Sequence, residues 1–334
     1  MSQAGPTLVT GATGFVGSAV ARALLARGHA LRLLVRAGSD RANVDGLPAE
    51  CVEGDLKDPA SLERAVRGCH YVVHVAADYR LWVPDPAAMH RANVEGTRNL
   101  LLAALAAGVE RIVYCSSVAA LGLVGDGTVA DEMTPNHIDK VIGTYKRSKY
   151  LAEQTVLELV REAGVPAVIV NPTAPVGPRD IKPTPTGKMI ADTAAGRMPA
   201  YVDTGLNIVH VDDVADGHIL ALERGRIGEC YILGGEDMDM SALLALVADV
   251  AGRKPPRLKL PHTALYPVAL ACEALARVAG IEPLVTRDIL AMSRKKMFFS
   301  SAKARAELGY SPRPARAAVT DAVAWFRARG RVPT

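Results

Sequence analysis

The chain has 334 residues, 49% of them hydrophobic, and a formal charge of +4, so it can bury more than one small core and carries no basic block of five or more residues suited to nucleic acid. Its five cysteines, Cys51, Cys69, Cys115, Cys230 and Cys272, form no C-x-x-C pair, which speaks against a disulfide framework and a zinc site, and no metal is expected. No apolar run reaches about 18 residues and a first strand by Thr7 leaves no room for a secretory leader, so a cytoplasmic protein is expected.

Residues 7–9 read as a short strand running into Thr10-Gly11-Ala12-Thr13-Gly14-Phe15-Val16-Gly17, and residues 16–27 read as a helix. Glycines at 11, 14 and 17 let a pyrophosphate approach backbone N–H groups at the positive end of that helix. Gly11, Thr13, Gly14, Phe15, Val16 and Gly17 are therefore expected to hold a dinucleotide. The second strand, 30–35, delivers Arg36 to the place where ribose specificity is decided. A carboxylate there would favour NAD(H). Arg36, with Ser39 and Arg41 beyond it, can pair with a 2′-phosphate, so NADP(H) is favoured over NAD(H); the bland alternative is a solvated strand-end arginine.

A third strand ends at Asp55-Leu56, where Asp55 either accepts from an adenine amino group or caps a helix starting near Pro59. The fourth, 71–75, ends in Ala76-Ala77, small enough for a cofactor to lie against the backbone, although packing explains them equally well. Residues 86–107 have helical periodicity and carry Asn93, a polar residue on an apolar face that needs partners, with structural and cofactor-site readings both open. The fifth strand, 111–115, runs into Ser116-Ser117 at the sheet edge where open α/β proteins bind ligands.

Tyr145-Lys146-Arg147-Ser148-Lys149 then opens a long helix through 163, and the i, i+4 spacing puts the phenol of Tyr145 and the ammonium of Lys149 on one face. A phenol titrating near about 10 needs roughly 4 kcal/mol of anion stabilisation to exchange protons near neutrality. A neighbouring ammonium supplies much of that, and a hydroxyl such as Ser117 fixes the path of the proton.

Together these residues resemble the extended short-chain dehydrogenase/reductase family, whose Ser-Tyr-Lys set is matched by Ser117, Tyr145 and Lys149. Val-Tyr-Cys-Ser-Ser (113–117), Tyr-Lys-Arg-Ser-Lys (145–149), Asn-Pro-Thr-Ala-Pro-Val-Gly-Pro (171–178) and Val-His-Val-Asp-Asp-Val-Ala (209–215) fall in the family's order. The resemblance implies that Lys149 lowers the Tyr145 pKa and binds the nicotinamide ribose. It adds Leu56, Pro172 and Thr173 to the cofactor set, and Tyr79, Asn171 and His210 to Ser117 as substrate candidates. Within the family, residues 75–82, 180–187 and 295–301 are similar to the hopanoid-associated sugar epimerase group, whereas Arg36 and Asn171-Pro172-Thr173 are more similar to dihydroflavonol reductases. Leu121 stands where sugar-nucleotide epimerases usually have tyrosine.

The expected fold is α/β: a Rossmann-type doubly wound parallel sheet from 1–177 plus 207–233, and a smaller C-terminal α/β substrate lobe from 178–206 plus 234–334. His210 and Asp212 either shape the cleft or serve structure, with Asp212 or Asp213 capping the following helix. Residues 262–280 read as an amphipathic helix that either packs the lobe or meets a lipid substrate. The expected activity is NADP(H)-dependent hydride transfer at a carbinol or carbonyl carbon. The resemblance implies a sugar-like or polyol substrate, lipid-linked in hopanoid side-chain biosynthesis, peripheral contact with membrane lipid, and a homodimer through 87–107 and 145–163. The alternatives are a sugar epimerase that retains its cofactor and a non-catalytic NADP(H) sensor.

Overall fold

The computed structural model describes residues 5–333 apart from 81, 84, 125–126, 280–282 and 284; Leu81 and Gly280, which fall in runs named above, lie outside the described residues. Strand β1 (Thr7–Thr10) leads through the glycine loop into α1 (Phe15–Ala26), then β2 (Leu31–Val35), β3 (Glu50–Glu53), α2 (Pro59–Val66) and β4 (Tyr71–His74). Helix α3 (Pro86–His90) continues through a π-helical turn, Arg91–Glu95, into α4 (Gly96–Ala106), and β5 (Arg111–Cys115), α5 (Thr144–Ala163) and β6 (Ala167–Pro172) follow.

The second half contains β7 (Ala174–Val176), α6 (Pro185–Ala194), β8 (Ala200–Val202), β9 (Gly205–His210), α7 (Val211–Arg224) and β10 (Cys230–Leu233). It continues with β11 (Glu236–Asp239), α8 (Met240–Ala251), β12 (Leu258–Leu260), α9 (His262–Ala279), α10 (Arg287–Ser293), β13 (Lys296–Met297), α11 (Ala302–Leu308) and α12 (Ala315–Ala328).

Seven strands in the order β3-β2-β1-β4-β5-β6-β10 form a parallel sheet. Both of its faces are covered, so alternate residues of each strand enter different cores. Val9, Leu33, Val73, Val113 and Val168 pack with α1, α7 and α11, whereas Leu8, Leu34, Val72, Ile112 and Ile169 pack with α2, α4 and α5. This is the doubly wound Rossmann-type α/β fold. Strand order reverses between β1 and β4, and ligands of such sheets bind beyond the strand ends at that reversal.

Strand β9 is the centre of a second sheet, parallel to β7 and β13 and antiparallel to β11, over a core formed with α6, α8 and α12. Residues 207–233, expected to return together to the first domain, therefore divide: β9 joins the second sheet, while α7 and β10 join the large one. The physical reason is again alternation, because Val209 enters the large core and Ile208 the small one. Helix α9 leaves Tyr266, Val268, Leu270 and Leu275 exposed. Among the described residues, no helix is long and apolar enough to cross a membrane.

Candidate active site

The glycine loop is built by close backbone approach. Gly11 has φ +72°, and a Cβ there would stand 2.6 Å from the Ala76 nitrogen; at Gly17 it would stand 2.1 Å from the Gly11 oxygen. Gly14 caps α1 without a side-chain acceptor, so the first-turn N–H groups after it, from Phe15, Val16 and Gly17, point out of the loop. Two ties hold the loop in place. The Ala76 N–H donates to Thr10 Oγ1 at 3.1 Å, and Asn43 Nδ2 donates to the carbonyls of Thr13 at 3.2 Å and Arg179 at 3.1 Å. Asn43 is 4% exposed and went unrecognised in the sequence, although a polar residue beside Val44 in an otherwise exposed loop was the available signal.

Arg36 follows β2 in an exposed turn closed by the Ser39 N–H on the Arg36 carbonyl at 3.1 Å, and Arg41 is exposed beyond it. Across the strand ends lies Asp78, whose carboxyl is held low by hydrogen bonds from Arg80 and by the charges of Arg80 and Arg36, against the effect of burial. Tyr79 is half exposed beside it, and Ala77 is partly buried. Asp55 does not cap α2: its Oδ1 accepts the Lys57 N–H at 2.9 Å, and Asp58 takes the cap position. Leu56 is buried where α4 passes, with Gly96 giving it room.

Ser117, Tyr145 and Lys149 converge beyond the end of β5. The Ser117 hydroxyl accepts the Ala119 N–H at 3.1 Å, which starts a short 3-10 turn, and the same hydroxyl acts on the Tyr145 phenol to favour its charged form. Burial is the largest influence on Tyr145. It pushes the phenol up to about 12, and the Ser117 hydroxyl opposes that rise. Lys149 is 2% exposed and donates to the Cys115 carbonyl at 2.9 Å and the Tyr114 hydroxyl at 3.3 Å. Burial also lowers the Lys149 pKa, opposed by Cys115 and Glu153.

Behind this trio runs a buried polar layer. Glu153, one turn after Lys149, accepts from Asn171 Nδ2 at 2.6 Å, and the same amide reaches the Ser117 carbonyl at 3.2 Å. Burial raises the Glu153 carboxyl, opposed in part by the Asn171 bond and the Lys149 charge. The His74 ring joins Thr10 Oγ1 at 2.7 Å to Thr97 Oγ1 at 3.0 Å, and burial holds its pKa down at about 3. Glu153 and Tyr114 were missed in the sequence; the spacing of Glu153 four residues after Lys149 was the available signal.

Three sequence candidates sit behind the cleft rather than in it. Asn93 is 1% exposed; its Oδ1 accepts the Asp78 N–H at 2.7 Å, and its Nδ2 donates at 2.9 Å to the Asp78 carbonyl and to Ser148 Oγ. Both amide donors are thus spent on fixing the loop after β4 and the first turn of α5. Asn171 is 0% exposed and spends both of its donor contacts on Glu153 and Ser117. His210, expected as a substrate contact, is corrected by the structure: it is fully buried, with Nδ1 capping α7 through the Asp212 N–H at 3.0 Å and Nε2 on Asp321 at 3.0 Å. A ring with both nitrogens engaged in the interior cannot face substrate. Asp212 pairs with Arg179, and Asp213 pairs with Arg313. Pro172 pairs in register with Leu233 at the end of β6, and the Thr173 hydroxyl is buried beside it without a protein partner.

The sequence model of the NAD dependent epimerase/dehydratase family matches residues 7–234. The chain belongs to this family. A Synechocystis protein with the provisional name dihydroflavonol 4-reductase is 45% identical over 330 residues, 98% of this chain and 96% of that one. Sterol demethylase protein B of Methylococcus capsulatus is 38% identical over 98% of this chain and 99% of its own. The solved protein gox2253 is 68% identical with a TM-score of 0.89, covering 98% of this chain and 99% of that one. Membership in the epimerase/dehydratase family makes the chain an NAD(P)-dependent enzyme, and the glycine loop fits such a cofactor. A Cβ at Gly11 or Gly17 would collide with neighbouring backbone, so these glycines set the shape of the loop, and the uncapped first turn of α1 supplies donors for a diphosphate.

Proposed function

We propose that this chain is an NADP(H)-dependent oxidoreductase that reduces a carbonyl carbon or oxidises the matching carbinol. The reading rests on the Ser117–Tyr145 hydroxyl pair at the carboxyl end of β5, beside the glycine loop. The nicotinamide supplies the hydride when bound. Ser117 holds the substrate oxygen, and Tyr145 gives it a proton during reduction or takes one during oxidation. A phenol raised by burial is a neutral donor at ordinary pH, which suits the reductive direction. Lys149 fixes the end of β5 through the Cys115 carbonyl, and it would hold the nicotinamide ribose when the cofactor is bound.

Arg36 supports NADP(H), since an exposed guanidinium rather than a carboxylate follows β2. The reductase name of the Synechocystis relative supports net reduction over epimerisation with a retained cofactor. The smaller lobe, 178–206 plus 234–334, carries substrate recognition in this reading, and the substrate is a sugar-like or polyol group on a lipid of the hopanoid class. The apolar face of α9, preceded by exposed Arg253, Lys254 and Arg257, is the surface that would rest on an anionic bilayer holding such a lipid. A homodimer through α4 and α5 belongs to the same reading; the exposed Leu102 on α4 supports it.

The deciding experiment follows deuterium from 4-deuterated NADPH into product while NADP⁺ is counted. Label in a reduced product with matching NADP⁺ supports the reading. Interconversion of epimers without net cofactor turnover overturns it.

A further inference from the structure

Directly beyond the hydroxyl pair lies a pocket that the chemistry described so far does not use. It begins at Val118 and Ala119, immediately after Ser117, and at Lys146, immediately after Tyr145. Leu121, Leu123, Met297 and Phe299 supply much of its wall. Two half-buried cations enter this apolar setting beside the exposed Lys140: Lys146 from the first turn of α5, and Lys295 from the segment before β13.

Among the described residues no carboxylate lines the pocket, and neither lysine makes an ion pair. The nearest partner of Lys146 Nζ is Met297 Sδ at 3.8 Å, a weak acceptor for an ammonium. Two unneutralised cations in apolar surroundings repel each other and are poorly solvated, so an anion between them is stabilised strongly.

We propose that this pocket binds the anionic head, carboxylate or phosphate, of a substrate whose remaining surface is apolar, with Lys146 and Lys295 as the specificity-determining residues. The proposal rests on the reductase reading only in calling the ligand a substrate. Burial and the charge of Lys295 hold the Lys146 ammonium down at about 8, the direction expected of a cation lacking a counter-charge. The position accounts for the adjacency in sequence. Tyr145 meets the reacting oxygen while the next residue, one position along the same helical turn, reads a charge farther along the same molecule. A lipid-linked polyol or sugar-like group that also carries a carboxylate or phosphate near its reacting carbonyl or hydroxyl matches both demands.

The test is calorimetric binding of octanoate, octyl phosphate and octanol to the NADPH-loaded protein. Octanoate or octyl phosphate is expected to bind at least ~10-fold more tightly than octanol. Tighter octanoate marks a carboxylate site and tighter octyl phosphate a phosphate site. Lys146→Met and Lys295→Met should each shrink that preference by ~3-fold or more, whereas Lys146→Arg should retain most of it, with melting temperatures checking that each variant is folded. Equal binding of octanol and both anions, or an unchanged preference in folded Lys146→Met and Lys295→Met, overturns the proposal. An anion preference in a protein that never consumes NADPH would overturn the reductase reading and leave the site standing.

Discussion

The Lys149 ammonium donates to the Cys115 carbonyl at 2.9 Å and makes no hydrogen bond to the Tyr145 phenol one turn away. The cation therefore pins the end of β5, and the hydroxyl of Ser117, two residues farther on, is the group that meets the phenol. In the proposed mechanism, positioning and proton exchange thus fall to two side chains that share a helix face.

With the phenol as the proposed proton-exchanging group, Tyr145→Phe should lower turnover by ~10²-fold or more. NADPH affinity, read by fluorescence titration, should change little. Turnover within a few-fold of the parent protein would remove Tyr145 from the chemistry.

Arg36→Asp should reverse cofactor choice. Loss of a charge-assisted contact to the 2′-phosphate corresponds to roughly 10- to 100-fold in NADPH affinity, while NADH affinity stays level or improves. If the parent protein binds NADH as tightly as NADPH, Arg36 is only a solvated strand-end residue and the epimerase reading gains.

Gly17→Ala places a methyl 2.1 Å from the Gly11 oxygen, a backbone atom that cannot swing aside. The expected cost is about 1–3 kcal/mol of stability, with weakened cofactor binding, since the loop must open to accept the methyl. Urea melts with and without NADPH measure both effects; an unchanged midpoint and unchanged stabilisation by cofactor would contradict the cradle.

Acid should destabilise the fold through two histidines. Burial lowers His74 to about 3 and His218 to about 4, whereas the unfolded chain protonates both near 6.5. Between those values the unfolded state binds more protons, so stability falls as pH drops from about 6.5 toward 4, by an amount on the order of a few kcal/mol. Denaturant midpoints at pH 7.5 and 5 should diverge less in His74→Gln and His218→Gln variants, and equal divergence in all three proteins would refute this source of acid lability.

Vesicle flotation tests the α9 surface. The protein should float with phosphatidylglycerol vesicles and less with phosphatidylcholine, and Leu270→Glu with Leu275→Glu should abolish the difference. Equal recovery in the soluble fraction for both lipids would assign that face to some other contact.

Local features were legible in the sequence because one residue type answers one local demand. Gly11 and Gly17 announce close backbone approach, and the alternation in β1, β2 and β5 announces a sheet covered on both faces. What escaped depends on distance along the chain. Lys146 and Lys295 share a pocket across 149 positions, and no periodicity connects them. His210 is a substrate candidate only through the family resemblance, with a structural role left open; in the fold the histidine itself caps α7, and the aspartates turn to Arg179 and Arg313. Strand β9 looked like the other strands, yet it pairs with β7, β11 and β13 in the second sheet instead of joining the large one.

The π-helical turn at Arg91–Glu95 holds one residue more than an α-helical path through the same span requires. Deleting a single residue there, such as Ala92, would let a regular helix form; α3 and α4 would keep about their present relation, and the widened turn that carries Asn93 would be lost. Asn93 would then swing away from Asp78 and Ser148, and the loop beside the glycine cradle would lose its anchor. The chain thus encodes part of its ligand geometry as a count of residues, so a one-codon change in length here would reach farther than most changes of composition.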